Sequence, residues 1–261
     1  MGEGSNIKQL NIIPINGIPA VHAGDNVAEL IINNARRHKF SIFSFDIIII
    51  TQKIISKSES RLVDLRTVTP SLRALELSDL TGKDPRLVQL ILNESREVLR
   101  ARHGLIIVKH RLGFVCANAG IDRSNTVPGE EGENYVLLLP EDPDQSARII
   151  QNEIQALTGL QVGILIIDSH GRAWRNGTVG TAIGIAGIPG VVDLRGRKDL
   201  CGYTLKATQV AAADELAAAA SLVMGQANEG VPCVIARGFP YTLRESNLQE
   251  LIRPEEEDLF L

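Results

Sequence analysis

Cysteine and aromatic residues are scarce in this 261-residue chain. It has three cysteines, Cys116, Cys201 and Cys233, and only 4% of its residues are Phe, Trp or Tyr. Isolated cysteines without a Cys-x-x-Cys pair argue against a disulfide framework or structural zinc and fit a reducing compartment. Because each lies in or near an apolar run, we expect all three to be buried and unreactive. The low aromatic content argues against a base-stacking surface for single-stranded nucleic acid.

Strong net charge and long apolar runs are also absent. The formal net charge is -4 and the pI about 5.8, which gives no general attraction for nucleic acid or anionic lipid. No apolar stretch reaches the roughly 18 residues that a membrane-spanning helix requires. The first residues lack the basic and apolar regions of a signal peptide. We therefore expect a cytoplasmic protein with no nucleic-acid partner and no membrane contact.

The two common phosphate-binding loops are missing as well. Gly82-Lys83 is followed by Asp84 and lacks the upstream glycine of a P-loop, and no Gly-x-Gly-x-x-Gly follows a predicted strand. A nucleotide bound by this chain would need a different cradle.

Hydrophobic periodicity and capping residues predict strands and helices in irregular alternation, which favours a mixed α/β or α+β architecture over a doubly wound sheet. The isoleucine run 47–50 is typical of a strand buried on both faces. Asp25, Thr69, Asp84 and Asp142 are the predicted helix caps. Residues 177–190 fit either a strand or a packed turn, and 126–134 fit a mobile loop. Predicted strands are 7–14, 46–51, 105–108, 114–117, 135–139, 162–167 and 231–236, and predicted helices are 26–38, 70–80, 85–100, 143–159 and 208–224.

Two predicted strands each lead to one aspartate in a loop of small and polar residues. Asp122 follows strand 114–117, and Asp168 follows strand 162–167. Carboxylates on rigid elements suit a divalent cation, and the arginines beside them suit phosphate. Either aspartate alone is equally consistent with a turn cap. The two together favour a metal and phosphate site.

Two further polar segments leave alternatives open. Lysines at 53 and 57, after the isoleucine strand, can supply charge to a phosphate, although the lysine at such a strand exit, taken alone, is more typical of a solvated strand end. Segment 224–231 joins a helix to a strand through two glycines and fits either a ligand contact or a glycine-assisted helix stop.

Seven ordered motifs over about residues 12–238 resemble the coenzyme F420-0 gamma-glutamyl ligases. They include Gly-Ile-Pro at 17–19, Thr-Gln-Lys-Ile-Ile-Ser-Lys at 51–57 and Asn-Ala-Gly-Ile-Asp-Arg-Ser-Asn at 118–125. The others are Leu-Leu-Pro-Glu-Asp-Pro-Asp at 138–144, Asp-Ser-His-Gly-Arg-Ala-Trp-Arg-Asn-Gly at 168–177, Leu-Arg-Gly-Arg-Lys-Asp-Leu at 194–200 and the alanine-rich 213–220 with Leu-Val-Met-Gly at 222–225. Seven matches in order are far more specific than any one of them.

The resemblance implies a fold and an activity. The fold is α+β, with mixed sheets, flanking helices and two interwoven subdomains in an intertwined homodimer. A ligase domain would span residues 1–245 and an acidic tail residues 246–261, without the fused nitroreductase-like domain of some members. The activity is GTP-dependent addition of L-glutamate to coenzyme F420-0 through an acyl phosphate, with Mn²⁺ or Mg²⁺ and with K⁺ as a further candidate cation.

The resemblance also assigns site residues by position. Ser169 stands where the family usually has Thr, Gln226 where some members have Glu, and Ser60 where glycine is common. Lys57, Arg123 and Arg172 are the candidate catalytic residues. Asp122 and Asp168 match the ligands of a first metal, and Ser169 and Gln226 stand at the position of a second, so these four are the candidate metal ligands. The GTP contacts are Ile18, Pro19, Ala20, Val21, Gln52, Lys53, Lys57, Asn125, Met224, Gly225, Gln226, Ala227, Asn228, Glu229, Gly230 and Val231.

Two alternative functions stay open at this point. One is a ligase of the same scaffold that acts on another acceptor, and the other is a non-catalytic nucleotide-binding or scaffolding dimer. His170 is a candidate base for the glutamate amine, although a position in a surface loop is the simpler interpretation.

Overall fold

The computed structural model describes residues 9–124 and 130–259, so the predicted GTP contact Asn125 and residues 126–129 of the predicted loop 126–134 lie outside the described residues. The rest of that segment, Glu130–Asn134, forms a short 3₁₀-helix. The strands are β1 (Asn11–Pro14), β2 (Ile47–Thr51), β3 (Leu62–Asp64), β4 (Ser95–Arg102), β5 (Leu105–His110), β6 (Val115–Ala117), β7 (Tyr135–Leu137), β8 (Gly163–Arg172), β9 (Arg175–Ala186), β10 (Val192–Asp193), β11 (Gln209–Val210) and β12 (Cys233–Arg237). The α-helices are α1 (Val27–Arg37), α2 (Gln52–Ser58), α3 (Leu72–Thr81), α4 (Pro85–Asn93), α5 (Pro143–Thr158) and α6 (Ala212–Met224).

A five-stranded sheet in the order β1-β12-β2-β8-β9 forms the first core. Strand β2 pairs in parallel with β8, and the other neighbours are antiparallel. The four isoleucines of β2 are fully buried because both faces of the sheet are covered. Ile48 and Ile50 pack with α1 and α5, and Ile47 and Ile49 pack with α6. The predicted buried strand is therefore confirmed.

A second core lies between β2 and β8 in the chain order. Strands β4, β5 and β6 form a three-stranded antiparallel sheet, and α3 and α4 pack against it. Strands β3 and β7 pair separately. Mixed sheets with flanking helices confirm the α+β class, while the interwoven subdomains and the homodimer stay predictions.

The predicted helix 85–100 is wrong in its second half. Helix α4 ends at Asn93, and β4 begins at Ser95. The segment has residues that helices favour, but pairing with β5 over the length of β4 determines its structure. Two predicted caps are also wrong by a residue or two. Asn26, not Asp25, caps α1, and Ser71, not Thr69, caps α3.

The predicted loop that begins at Asp168 is a continuation of β8. Strand β8 runs to Arg172 and pairs with β9 as a long hairpin, so residues 177–190 lie mostly in a strand. Residues 171–178 of this hairpin are exposed. Glycines at 180 and 184 of β9 allow the backbones of α6 and of Pro143 to approach closely, which explains the glycine-rich sequence.

The C-terminal residues include both buried and exposed positions. Leu248 is buried, and its backbone N–H donates to Asp144 at the start of α5, although residues 255–257 are exposed.

Cys116 and Cys233 are buried as predicted, but Cys201 is exposed in an irregular segment, so the prediction that it is buried is wrong. Within the described residues, no helix has the length and apolar character needed to cross a membrane.

Candidate functional site

The order of the main sheet brings most of the predicted site segments to one edge. Strands β1, β2 and β8 run in the same direction, and β12 runs in the opposite direction. The carboxyl ends of the first three strands therefore lie at the edge where β12 begins. Segment 18–21 follows β1, Gln52 and Lys53 follow β2, and segment 224–231 precedes β12. Clefts at the carboxyl ends of parallel strands are common ligand sites.

Asp122 and Asp168 meet at this edge. Asp122 pairs with Leu137 through two backbone hydrogen bonds of 2.9 and 2.8 Å, which hold it on β7. Its carboxylate accepts a hydrogen bond of 3.1 Å from the side chain of Gln52, which is buried and receives the Ser56 hydroxyl on its other end. Burial and the negative charge of Asp168 raise the pKa of Asp122, and the charge of Lys53 opposes them.

Two lysines lie on one face of α2, and the first of them, Lys53, contacts this carboxylate pair. Lys53 Nζ lies 3.3 Å from Asp122 Oδ2 and donates to Ser124 Oγ at 2.8 Å. Lys57 is one helical turn later, which places it on the same face. Burial, and to a lesser degree the charge of Lys53, lower the pKa of Lys57. Adjacent lysines of reduced solvation are well placed for an anionic ligand.

The turn after α6 closes the site from the other side. Ser169 Oγ donates a hydrogen bond of 2.8 Å to Gln226 Oε1, which ties β8 to this turn. The carboxylate of Glu229 accepts the N–H of Ala227 at 2.8 Å and packs directly against Gly225, which has a φ of +75°. Backbone N–H groups at Ala227, Glu229 and Gln226 hold the pKa of Glu229 below its usual value. These N–H groups are the kind of donors that also bind phosphate.

The donor set fits a hard divalent cation. Asp122, Asp168, Ser169 and Gln226 can each offer an oxygen atom, and a cation would relieve the repulsion between the two partly buried carboxylates. Among the described residues, no group of three or more His, Cys, Asp and Glu side chains is arranged to hold a metal. Two carboxylates fit the Mg²⁺ sites that keep water and bind substrate phosphates.

The two predicted catalytic arginines are placed differently. Arg123 follows Asp122 directly, and its guanidinium donates to Glu133 O at 3.4 Å and lies close enough to Lys83 to lower the pKa of that lysine, after burial. Arg172 lies four residues beyond Asp168 on β8, about 13 Å along an extended strand. It is exposed near the end of the hairpin and donates to Asn176 O. One chain does not bring Arg172 to the aspartates.

The buried surroundings of His170 were not predicted from the sequence. Its side chain is 10% exposed, with Nε2 3.1 Å from Asp168 Oδ2, so it is not a surface-loop residue. Its ring contacts Phe114, which stacks on the fully buried His110. His110 in turn lies beside the ion-paired Glu94, so the contacts extend into the second core. The alternation of side chains along a strand puts Asp168 and His170 on one face, but only once β8 is known to extend through both.

Comparisons with known proteins agree with the motifs. A family model described as F420-0:Gamma-glutamyl ligase matches residues 17–238. The coenzyme F420:L-glutamate ligase of Methanothermobacter thermautotrophicus is 46% identical over 253 residues, covering 96% of this chain and 98% of the relative. The enzymes of the same name from Methanocaldococcus jannaschii (43% identical over 258 residues, 97% and 99% covered) and Archaeoglobus fulgidus (41% over 251 residues, 96% of each) are similar along the whole chain. Since both the family model and these full-length relatives cover nearly all of the sequence, the chain belongs to the F420-0:gamma-glutamyl ligase family.

Proposed function

We propose that this protein joins L-glutamate to coenzyme F420-0 by an amide bond, with GTP as the phosphate donor and an acyl phosphate as the intermediate. Family membership supports the overall reaction. The observation that carries the rest is the pair of partly buried carboxylates, Asp122 and Asp168, beside Lys53 at the carboxyl edge of the sheet. Such an arrangement is suited to phosphate chemistry.

The proposed reaction has two steps. A carboxylate oxygen of the acceptor attacks the γ-phosphorus of GTP, the bond to the β,γ-bridging oxygen breaks, and GDP leaves. The nitrogen of the glutamate amine then attacks the acyl carbon, the carbon–oxygen bond to phosphate breaks, and the amine loses a proton. Both steps bring anionic groups together, so the site must supply positive charge.

The residues of this chain have distinct parts in the proposal. Asp122 and Asp168 would hold a first Mn²⁺ or Mg²⁺ ion, Ser169 and Gln226 would lie at a second, and the bound metal would supply positive charge to phosphate oxygens. Lys53 and Lys57 would bind phosphate oxygens from one side. The N–H groups of the turn at 225–229 would bind them from the other, in place of the Glu229 carboxylate that accepts these N–H groups in the free protein. Gln52 would keep Asp122 in place, because its amide already donates to that carboxylate.

The proposal includes a cytoplasmic homodimer. Several large apolar side chains are exposed on the single chain, among them Trp174 at 88%, Leu200 at 107% and Leu222 at 86%. Exposed apolar side chains of this size support an interface with another molecule when they form one patch.

Product analysis tests the reaction itself. The full-length protein is incubated with GTP, Mn²⁺, L-glutamate and F420-0, and mass spectrometry reads the acceptor while a coupled assay follows GDP. A mass increase of one glutamyl residue together with GDP release is expected. Turnover only with another acceptor would support a same-scaffold ligase of different specificity. Absence of both GTP binding and GDP release would support a non-catalytic dimer.

The first prediction concerns the two aspartates. Asp122→Asn and Asp168→Asn each remove one charge from the cation site, and we expect either change to lower metal-dependent turnover by about 10²-fold or more. Asp79→Asn, at an exposed position on α3, is the matched control and should turn over like the wild type. Circular dichroism checks that each variant is folded. Wild-type turnover in a folded Asp122 or Asp168 variant would disprove the metal assignment.

A further inference from the structure

His170 lies against the carboxylate of Asp168. The two residues are separated by one position on β8, so their side chains project from the same face of the strand. His170 Nε2 and Asp168 Oδ2 are 3.1 Å apart, and the two side chains are 10% and 12% exposed. The distance is that of a hydrogen bond, but the ring is not aligned for one, and Nε2 has no hydrogen-bond partner among the described residues.

The ring of His170 is held from behind by the second core. The Phe114 ring lies 5.1 Å from it, centroid to centroid, at an interplanar angle of 50°. Phe114 in turn stacks on His110 at 5.1 Å and 6°. His110 is fully buried, and its Nδ1 accepts the N–H of Leu112 at 3.1 Å. This column of three rings leaves His170 little freedom to move away from Asp168.

We propose that His170 is a positioning residue for Asp168, whose carboxylate it orients by donating its ring N–H when a cation occupies the site. This inference rests on the proposed function. Groups behind a metal ligand commonly fix its orientation, and hydrogen bonds that are misaligned in an empty site often tighten when the ligand is bound. Because its Nε2 is buried against Asp168, the geometry favours a positioning role for His170 over the role of base for the glutamate amine.

A metal-binding experiment, which needs no turnover, distinguishes a positioning role of His170 from simple packing. Mn²⁺ is titrated into the full-length protein and its free concentration is followed by electron paramagnetic resonance. His170→Leu keeps a buried side chain of similar bulk but removes the donor, and we expect it to raise the Kd for Mn²⁺ by about 10-fold or more. His170→Gln retains an N–H donor and should recover most of the affinity. Phe114→Leu keeps the donor but frees the ring, so it should raise the Kd by less than His170→Leu.

The outcomes test the positioning role of His170 and the proposed metal site separately. A folded His170→Leu protein with the wild-type Kd would overturn the inference, and so would His170→Gln binding as weakly as His170→Leu, which indicates packing alone. If His170→Leu does not fold, Phe114→Leu decides, and a wild-type Kd there overturns the inference. Asp168→Asn is the reference. Unchanged Mn²⁺ binding in that variant would reject the proposed metal site itself, whereas lost binding there with normal binding in His170→Leu would reject only the positioning role.

Discussion

His110 is a buried imidazole without a charge partner of its own. Burial lowers its pKa to about 4, the nearby carboxylate of Glu94 acts in the opposite direction, and the charges of Arg111, His170 and Arg61 lower it further. Glu94 Oε2 is 3.8 Å from its Nε2, but that carboxylate already accepts hydrogen bonds from Arg61 and Arg111. The ring is therefore neutral in the folded protein at neutral pH.

This neutral ring predicts a loss of stability in mild acid. Between pH 6.5 and about 4 the unfolded chain binds a proton on this histidine that the folded chain does not bind, so the free energy of unfolding falls as the pH falls through that range. The full effect is about 3 kcal/mol. His110→Gln keeps an acceptor for the Leu112 N–H and should flatten this part of the curve, measured by urea unfolding at several pH values.

His22→Gln is the control for this measurement, because the side chain of His22 is 79% exposed. Its curve should follow that of the wild type. Parallel curves for His110→Gln and the wild type would show that His110 is not the group responsible.

The residue types of the site were largely visible in the sequence, but their surroundings were not. Asp122 and Asp168 could be found because each follows an apolar strand, and the structure does bring them together. Gln52 stays a predicted GTP contact, and the structure adds that its amide is buried and hydrogen-bonded at both ends within the protein. Which partner a side chain faces depends on contacts 70 residues away along the chain, and no local pattern contains them.

At the level of elements, α6 sits directly on β9 because Gly180 has no side chain. A Cβ atom at Gly180 would lie 2.4 Å from the carbonyl oxygen of Ala217 and 2.7 Å from the Cβ of Ser221. The N–H of Gly180 also faces the Ser221 hydroxyl at 3.3 Å. Helix α6 ends at Met224, immediately before the turn that carries Gln226, so its distance from the sheet sets the position of that turn.

Gly180→Ala should therefore destabilise the protein by about 1–3 kcal/mol, because backbone and not a flexible side chain must move. Gly171→Ala is the matched control in the same hairpin, since a Cβ there meets nothing within 4 Å. It should change the free energy of unfolding by less than about 0.5 kcal/mol. Urea unfolding of the two variants measures both values, and equal effects would contradict the close packing of α6 on β9.

Element prediction succeeded where one segment had one consistent pattern. Helix α5 begins after Asp142 and ends at a left-handed Gly159, as its proline and glycine indicate. Prediction failed at β4 and in the outer half of β8. Each of these segments is stabilised by pairing with the neighbouring strand, and neither shows its own alternation of apolar and polar residues. The seven exposed or half-buried positions from Gly171 to Gly177 carry no apolar stripe that would have predicted a strand.

At the scale of the whole molecule, contacts within a single chain do not account for the position of the hairpin of β8 and β9. It projects beyond the sheet with Trp174 exposed at its turn, and it carries Arg172 away from the aspartates of its own chain. A catalytic role for Arg172 is then possible only if a second copy places that arginine in the neighbouring site. In a symmetric dimer each hairpin would complete the site of the other chain.

Mixed dimers test this arrangement. Asp168→Asn and Arg172→Ala are each expected to be inactive alone, and the two variants are co-expressed with different tags so that they associate at random. If Asp168 and Arg172 of one site come from different chains, half of the dimers are mixed and each contains one intact site, so about a quarter of the wild-type activity should return. Sedimentation velocity confirms the dimer. If both residues act within one chain, no mixed site is intact, and the mixture will stay inactive.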